Sequence, residues 1–355
     1  MISKKTILIS TFILISMILS ACSSAVYAST GWHGLTASSD TVYLAAGTQV
    51  YAVDLNSGSE KWRLPKANPK GFYANPVLTE DGQLLVPSYD NILYSLDPVT
   101  GSEKWKFSDS KNRLIASPLV TQNMIYQPSS DWHIYALNLT GNKIWAKETG
   151  GPIWAKPATS PDCSCIFVAS MDHKVYSYDV ASGTELWVSH DLGGALVGTP
   201  AVSTDGILYI GTFGKEMLAL DAKNGSIKWR YSTQGWVWAG PTLANNVLYF
   251  GDLSGNFYAL NPSDGKELKS IKLNNAVVDS PVVSGDSIYL TTESDTLYII
   301  NSGTYNLNSK VVGGVIYSTP VVIGDTILVS PTGFSSLLVA LNLDGTQKWP
   351  FTPAK

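Results

Sequence analysis

A chain of 355 residues ordinarily divides into two or three domains. Its 45% hydrophobic and 15% charged content, with 18 Tyr and 11 Trp, describes a well-packed β-rich protein and excludes a disordered one. The formal net charge is −4 and no basic run or stripe is present, so no partnership with nucleic acid through phosphate neutralisation is expected.

Residues 1–21 read as an address. Lys4 and Lys5 supply a positive start, and Ile7 to Leu19 is an apolar run shorter than the ~20 residues of a membrane span. The run ends in Leu19-Ser20-Ala21-Cys22, which resembles the bacterial lipobox. That resemblance implies cleavage before Cys22 and lipidation of its thiol, leaving a net charge near −6 once Lys4 and Lys5 are gone. Val26-Tyr27-Ala28 offers an ordinary cleavage site as the rival, and an uncleaved anchor is a third reading. Residues 22–30 form the lipidated cysteine and a short tether.

From residue 31 onward one phrase recurs. Val50–Trp62 is VYAVDLNSGSEKW, Leu93–Trp105 is LYSLDPVTGSEKW, and Leu218–Trp229 is LALDAKNGSIKW. Ile134–Trp145, Val175–Trp187 and Leu338–Trp349 repeat it; Phe257–Lys269 carries Lys269 in the tryptophan's place, and Leu297–Asn301 keeps only the strand. Trp62, Trp105, Trp145, Trp187 and Trp229 are spaced by 43, 40, 42 and 42 residues, and Trp349 lies 120 further on. A fixed period near 40 residues, with four short strand-like runs and no helical periodicity, is the signature of a propeller blade. Eight copies fill residues 31–355 as one all-β domain.

Within each blade a proline opens the inner strand: Pro76, Pro118, Pro157, Pro200, Pro241, Pro281 and Pro320, with Gly34 in the first blade. The second strand carries an anchor such as Tyr43, Tyr126, Phe167, Tyr209, Tyr249 or Tyr289. The third alternates large, small and large residues, which puts the large pair on one face. Asp or Asn then starts a turn and Gly closes it with positive φ. Asp81-Gly82, Asp205-Gly206 and Ser254-Gly255 read as further hairpin turns.

The phrase Ala-x-Asp-x-x-x-Gly-x-x-x-Trp, met in full by Ala52, Asp54, Gly58 and Trp62 and by Ala219, Asp221, Gly225 and Trp229, resembles the repeat of the pyrroloquinoline quinone (PQQ) family of eight-bladed propellers. The resemblance covers nearly all of the chain after the tether. It implies that Trp62, Trp105, Trp145, Trp187, Trp229 and Trp349 are structural rings, each docked on the next blade. The last three blades depart from the pattern, with the tryptophan missing at Lys269 and around Leu307, so that side of the ring is expected to be looser or to face a partner.

The family holds quinoprotein dehydrogenases and non-catalytic propellers, among them the lipoprotein of the outer-membrane β-barrel assembly machine. A dehydrogenase would need PQQ on the axis and Ca²⁺ held by converging oxygens. The axial positions are those just before each inner-strand proline. Three residues before it stand Tyr73, Ile115, Trp154, Val197, Trp238, Val278 and Tyr317; one or two before it stand Asn75, Lys156 and Asp279. Asp279 is the single carboxylate there, and Lys156 opposes a cation, so no cofactor, no metal and no catalytic residue is expected. Tyr73, Trp154, Trp238 and Tyr317, with Trp236 nearby, either pack the channel or stack on a sugar, a quinone or a peptide. Cys163-Ser164-Cys165 is not the adjacent cysteine pair of the dehydrogenases; it is a disulfide or two thiols, with a structural or incidental role. The four histidines, 33, 133, 173 and 190, are scattered, and Asp172-His173-Lys174 reads as a solvated turn.

The expectation is therefore a monomeric, lipid-anchored propeller outside the cytoplasm that binds a protein partner and does no chemistry. In a two-membraned cell it would face the periplasm from the outer membrane; in a single-membraned one it would sit on the surface. The alternatives are a PQQ-dependent dehydrogenase and a surface propeller that binds cell-wall polysaccharide.

Overall fold

The computed structural model describes residues 32–64, 68, 70–160 and 162–354. The expected signal segment, Cys22 and the tether lie outside the described residues. Eight four-stranded antiparallel sheets follow one another in chain order, and no helix occurs among the described residues. Their innermost strands face one another around a central axis. This is the eight-bladed propeller expected from the period.

Blade 5 shows how one repeat builds a sheet and a seam. Its strands Ala201–Val202, Ile207–Thr212, Glu216–Asp221 and Ile227–Ser232 pair in sequence order. Tyr209 stands opposite Ala219, and Ala219 opposite Trp229, so the three residues form one row across the sheet. The alanine methyl leaves room for the flanking rings, whose centroids are 5.8 Å apart. Tyr209 Oη and Trp229 Nε1 both donate to the carbonyl of Pro262 in the next blade, at 3.2 and 2.9 Å. The same pair of hydrogen bonds runs from Tyr43 and Trp62 to the Pro98 carbonyl, and from Tyr126 and Trp145 to that of Val180. The small residue thus lets the neighbouring sheet approach, and the polar edges of both rings are satisfied at the seam.

The turn glycines complete it. A Cβ on Gly58, Gly101, Gly141, Gly183, Gly225 or Gly265 would fall 2.5–2.7 Å from a ring carbon of the preceding blade's Trp. Each of these glycines also has φ between +67° and +81°. Both sterics and backbone conformation therefore require glycine. Trp349 on Gly58 carries the pattern from the last blade to the first.

Blade 7 differs from the sequence reading in its turn and departs from the repeat in its outer strand. Its turn is kept as well as its strand: Asn301 caps it by accepting from Thr304, and the backbone N–H of Tyr305 bonds to the Asn301 carbonyl. Tyr305 occupies the glycine place with φ +59°, and its ring packs with Ile271 against the buried cluster of Tyr249 and Phe257. At the seam where Lys269 removes the tryptophan, the next blade supplies an aromatic ring from the other side. The second departure was expected around Leu307. The position paired like a tryptophan is Asn308, opposite Ile299, and the aliphatic stem of Lys310 covers Gly345. The outer strand Leu307–Val311 also lacks the one-residue bulge that the other seven outer strands carry.

Ring closure exchanges no strand, because blade 1 is built wholly from residues 34–63 and blade 8 wholly from residues 321–351. Trp349 Nε1 donates to Leu55 O at 3.0 Å, and Tyr51 meets Phe351 edge-on at 5.5 Å. Near the axis, His33 Nδ1 lies 2.8 Å from Ser330 Oγ, whose own proton goes to Leu337 O. Ser330 therefore accepts and His33 donates through Nδ1. Cys163 and Cys165 are joined as a disulfide in the first hairpin of blade 4, packed against the core between blades 4 and 5.

Candidate functional site

The segments that enter each blade run inward along one face of the ring, and the hairpins between second and third strands lie beside them. Backbone bonds tie the two sets together: Tyr89 to Gly71, Phe213 to Ala195, Leu253 to Trp236. On this face a funnel of about 790 Å³ opens on the axis.

Its wall has two layers, read from the position of each inner-strand proline. Three residues before the proline the wall is apolar: Tyr73, Trp154, Trp238 and Tyr317 alternate with Ile115, Val197 and Val278. One residue before it the wall is polar: Asn75, Ser117, Lys156, Thr199 and Thr319 line the floor. Trp32 and His33 bring blade 1 into the same wall. The intervening positions, Ala74, Ala116, Ala155 and Ala239, are buried between blades. Asp279 takes that place in blade 7, where the others carry a small side chain.

Two of the polar groups are unusual. The Lys156 amine has no hydrogen-bond or ion-pair partner among the described residues, and burial holds its pKa below the usual lysine value. Asp279 Oδ1 accepts from Thr319 Oγ1 at 2.8 Å across the seam to blade 8, while Oδ2 is enclosed without a partner. Burial pushes its carboxyl up to about 7 against the pull of the Thr319 bonds. His33 is pushed the other way by burial, to about 4, and is neutral at physiological pH. Trp154 Nε1 and Ser318 Oγ are also buried without partners. At the mouth, Tyr317 Oη donates to Glu293 at 3.2 Å.

Of the axial residues read from the sequence, Tyr73, Asn75, Trp154, Lys156, Trp238, Asp279 and Tyr317 line this one funnel. Trp236 does not line it. It is 49% exposed on the outer surface and stacks on Phe213 at 5.1 Å, and Phe213 leads to Trp238 at 5.5 Å and on to Trp32 at 5.6 Å. Trp32, His33, Phe213 and Glu293 escaped the sequence reading. Blade 1 has Gly34 in place of the marker proline, so counting back from prolines never reached Trp32 or His33; Phe213 and Glu293 lie in second-to-third-strand hairpins, which carry no repeated phrase.

The residues do not fit a calcium-bound quinone. The single floor carboxylate is already engaged through Oδ1 and enclosed at Oδ2, and a lysine shares the wall. Among the described residues no group of three or more His, Cys, Asp or Glu side chains converges.

A protein-family model described as outer membrane protein assembly factor BamB matches residues 46–164 and 171–273, well over half of the chain. A curated protein of that description from Moranella endobia is 24% identical over 75% of this chain and 71% of its own length. A tetrathionate hydrolase from Acidithiobacillus ferrooxidans is 23% identical over 82% of this chain and 60% of its own length. Among solved structures, BamB from Moraxella catarrhalis superposes with a TM-score of 0.68 over 88% of this chain and 91% of that one, at 19% identity, a likeness of fold.

Proposed function

Because the chain belongs to the PQQ-repeat propeller family described as outer membrane protein assembly factor BamB, we propose that it is a non-catalytic scaffold that takes part in outer-membrane protein assembly. In this reading Cys22 carries the lipid, the tether 22–30 holds the ring close to the membrane on its periplasmic side, and the partner is a component of the machinery that inserts β-barrels. The family match over residues 46–164 and 171–273 carries the reading. The distribution of exposed rings supports a docking role for the funnel-bearing face. Trp32, Trp132, Trp236 and Phe334, 37–49% exposed, all lie in its connectors and hairpins. Exposed aromatic rings on one face are what a docking surface presents.

The test is photo-crosslinking in the native envelope from positions 132 and 236, with position 123 on the opposite face as control, beside a deletion strain. A crosslink from 132 or 236 to a β-barrel insertase component, with reduced β-barrel protein in the outer membrane on deletion, is expected. Unchanged β-barrel levels without such an adduct would sink the proposal. Cys22→Ser is expected to move the protein from the membrane to the soluble fraction.

One observation favours an enzyme: a carboxyl pushed up to about 7 beside a cavity is what a general acid needs. Against it, Oδ2 is enclosed rather than open to the funnel. A melt titration with PQQ and Ca²⁺ and a dye-linked alcohol oxidation assay separate the readings, because a specific ligand raises the melting temperature.

A further inference from the structure

We propose that the Cys163–Cys165 disulfide is a redox-active site that oxidises external dithiols by thiol–disulfide exchange, and is not a staple for its blade. It lies in the hairpin between the first two strands of blade 4, at the end of the sheet opposite the funnel.

The hairpin closes without the bond. Ala158 and Thr159 pair with Phe167 and Ile166, Thr159 Oγ1 donates to Cys165 O at 2.8 Å, and Val180 N–H donates to Ser164 O at 3.0 Å from the neighbouring turn. The equivalent hairpins at Ser38, Thr79, Thr121 and Ser203 close on backbone bonds with no cystine, since Cys22 is the one other cysteine of the chain. A bridge between residues two apart also closes a very short loop, where the entropic gain from a disulfide is smallest.

The two sulfurs stand in different surroundings. Cys165 is buried in the core shared by blades 4 and 5, whereas Cys163 borders that core half-buried, flanked by the exposed Asp162 and Ser164. Attack on a disulfide runs along the S–S line, so a thiolate arriving from solvent bonds to Cys163 Sγ and expels Cys165 Sγ. Burial disfavours the expelled thiolate, which takes a proton. The second thiolate of the substrate then attacks the substrate's own sulfur in the mixed disulfide and releases Cys163. The substrate gives up two electrons and two protons and becomes a disulfide; Cys163 and Cys165 become thiols. The hairpin, held by its backbone bonds, keeps their Cα atoms 5.1 Å apart, within the span of a disulfide. A small disulfide such as oxidised glutathione therefore restores the bond by the reverse exchange. The inference goes beyond the scaffold reading and does not depend on it.

The experiment is incubation of the full native chain, purified in detergent, with a synthetic peptide carrying two thiols. Alkylation and peptide mapping then separate residues 163 and 165 from Cys22. Stoichiometric oxidation of the peptide, alkylation of 163 and 165 together, and a melting transition that stays cooperative are expected. Cys165→Ala should form a mixed disulfide with oxidised glutathione at least about tenfold faster than Cys163→Ala, because it retains the accessible thiol. No exchange until the chain is unfolded, loss of cooperative melting on reduction, or equal rates in the two variants would each overturn the proposal. The exchange on the native chain needs no variant, so a misfolded variant would not blunt it. Failure here leaves the crosslinking result untouched, and the reverse.

Discussion

The seam between blades 5 and 6 and the seam between blades 6 and 7 solve one packing problem in opposite ways. At the first, Trp229 reaches forward onto Gly265 and donates to Pro262 O. At the second, Lys269 leaves that space open and Tyr305 reaches back into it from the glycine position, accepting φ +59° to do so. A ring is needed at the seam, but either partner can provide it. The exchange has a cost, because a left-handed backbone at a non-glycine residue is strained by ~1 kcal/mol, and the hydrogen bond of the indole is given up.

Breaking the standard seam should have the largest effect. Trp349→Ala removes a buried ring, its bond to Leu55 O and the contact on Gly58 that closes the propeller. A loss of about 3–4 kcal/mol in denaturant unfolding is expected. Lys269→Ala, at the equivalent place of the exchanged seam, should change stability by no more than about 0.5 kcal/mol.

The seams that flank blade 8 add pH to the comparison. The folded state keeps the Asp279 proton up to about 7, whereas the unfolded chain releases it near 3.8. This group therefore contributes stability that is fully present below pH ~4 and is lost as pH rises through about 7. Asp279→Asn should exceed the native protein in stability at pH 8 by on the order of 2 kcal/mol, with the difference closing toward pH 4. His33 works in the opposite sense. Its folded pKa of about 4 lies below the usual 6.5, so its contribution is present above 6.5 and is lost as pH falls through about 4. The two slopes oppose each other between pH 4 and 6.5, and melting curves of Asp279→Asn across that range should steepen toward acid because the His33 slope is no longer offset.

The exchanged seam itself sharpens the comparison most. Tyr305→Gly alone relieves the left-handed strain but empties the seam, and a net loss of about 1 kcal/mol is expected. Lys269→Trp with Tyr305→Gly rebuilds the standard seam and should recover that loss. A double variant no more stable than Tyr305→Gly would mean that the turn of blade 7, even with glycine at 305, does not receive an indole from the bulged outer strand of blade 6.

The axial site was legible to the extent that it follows the repeat. Counting back from each proline brought seven of the eight residues singled out into one funnel, because equivalent positions in a ring converge on its axis. Trp236 is the exception. It precedes Trp238 by two residues on an irregular connector, where an alternating pattern does not decide which side faces inward, and it stacks outward on Phe213. The character of Asp279 was not legible either: its position reads as one more axial polar residue, whereas burial between blades is what lifts its pKa.

The sequence by itself determined the blade number, the strand order within each blade and the partnership of Trp with Gly, because these are written once per period and repeated. Tertiary structure alone decided what happens between unlike copies. Tyr305 replaces a missing tryptophan, His33 and Ser330 meet across residues 297 positions apart, and Lys156 lines a cavity with no partner among the described residues. A repeat dictates what every blade shares; the contacts that make this propeller individual lie where two different blades touch, and no single period contains both sides of them.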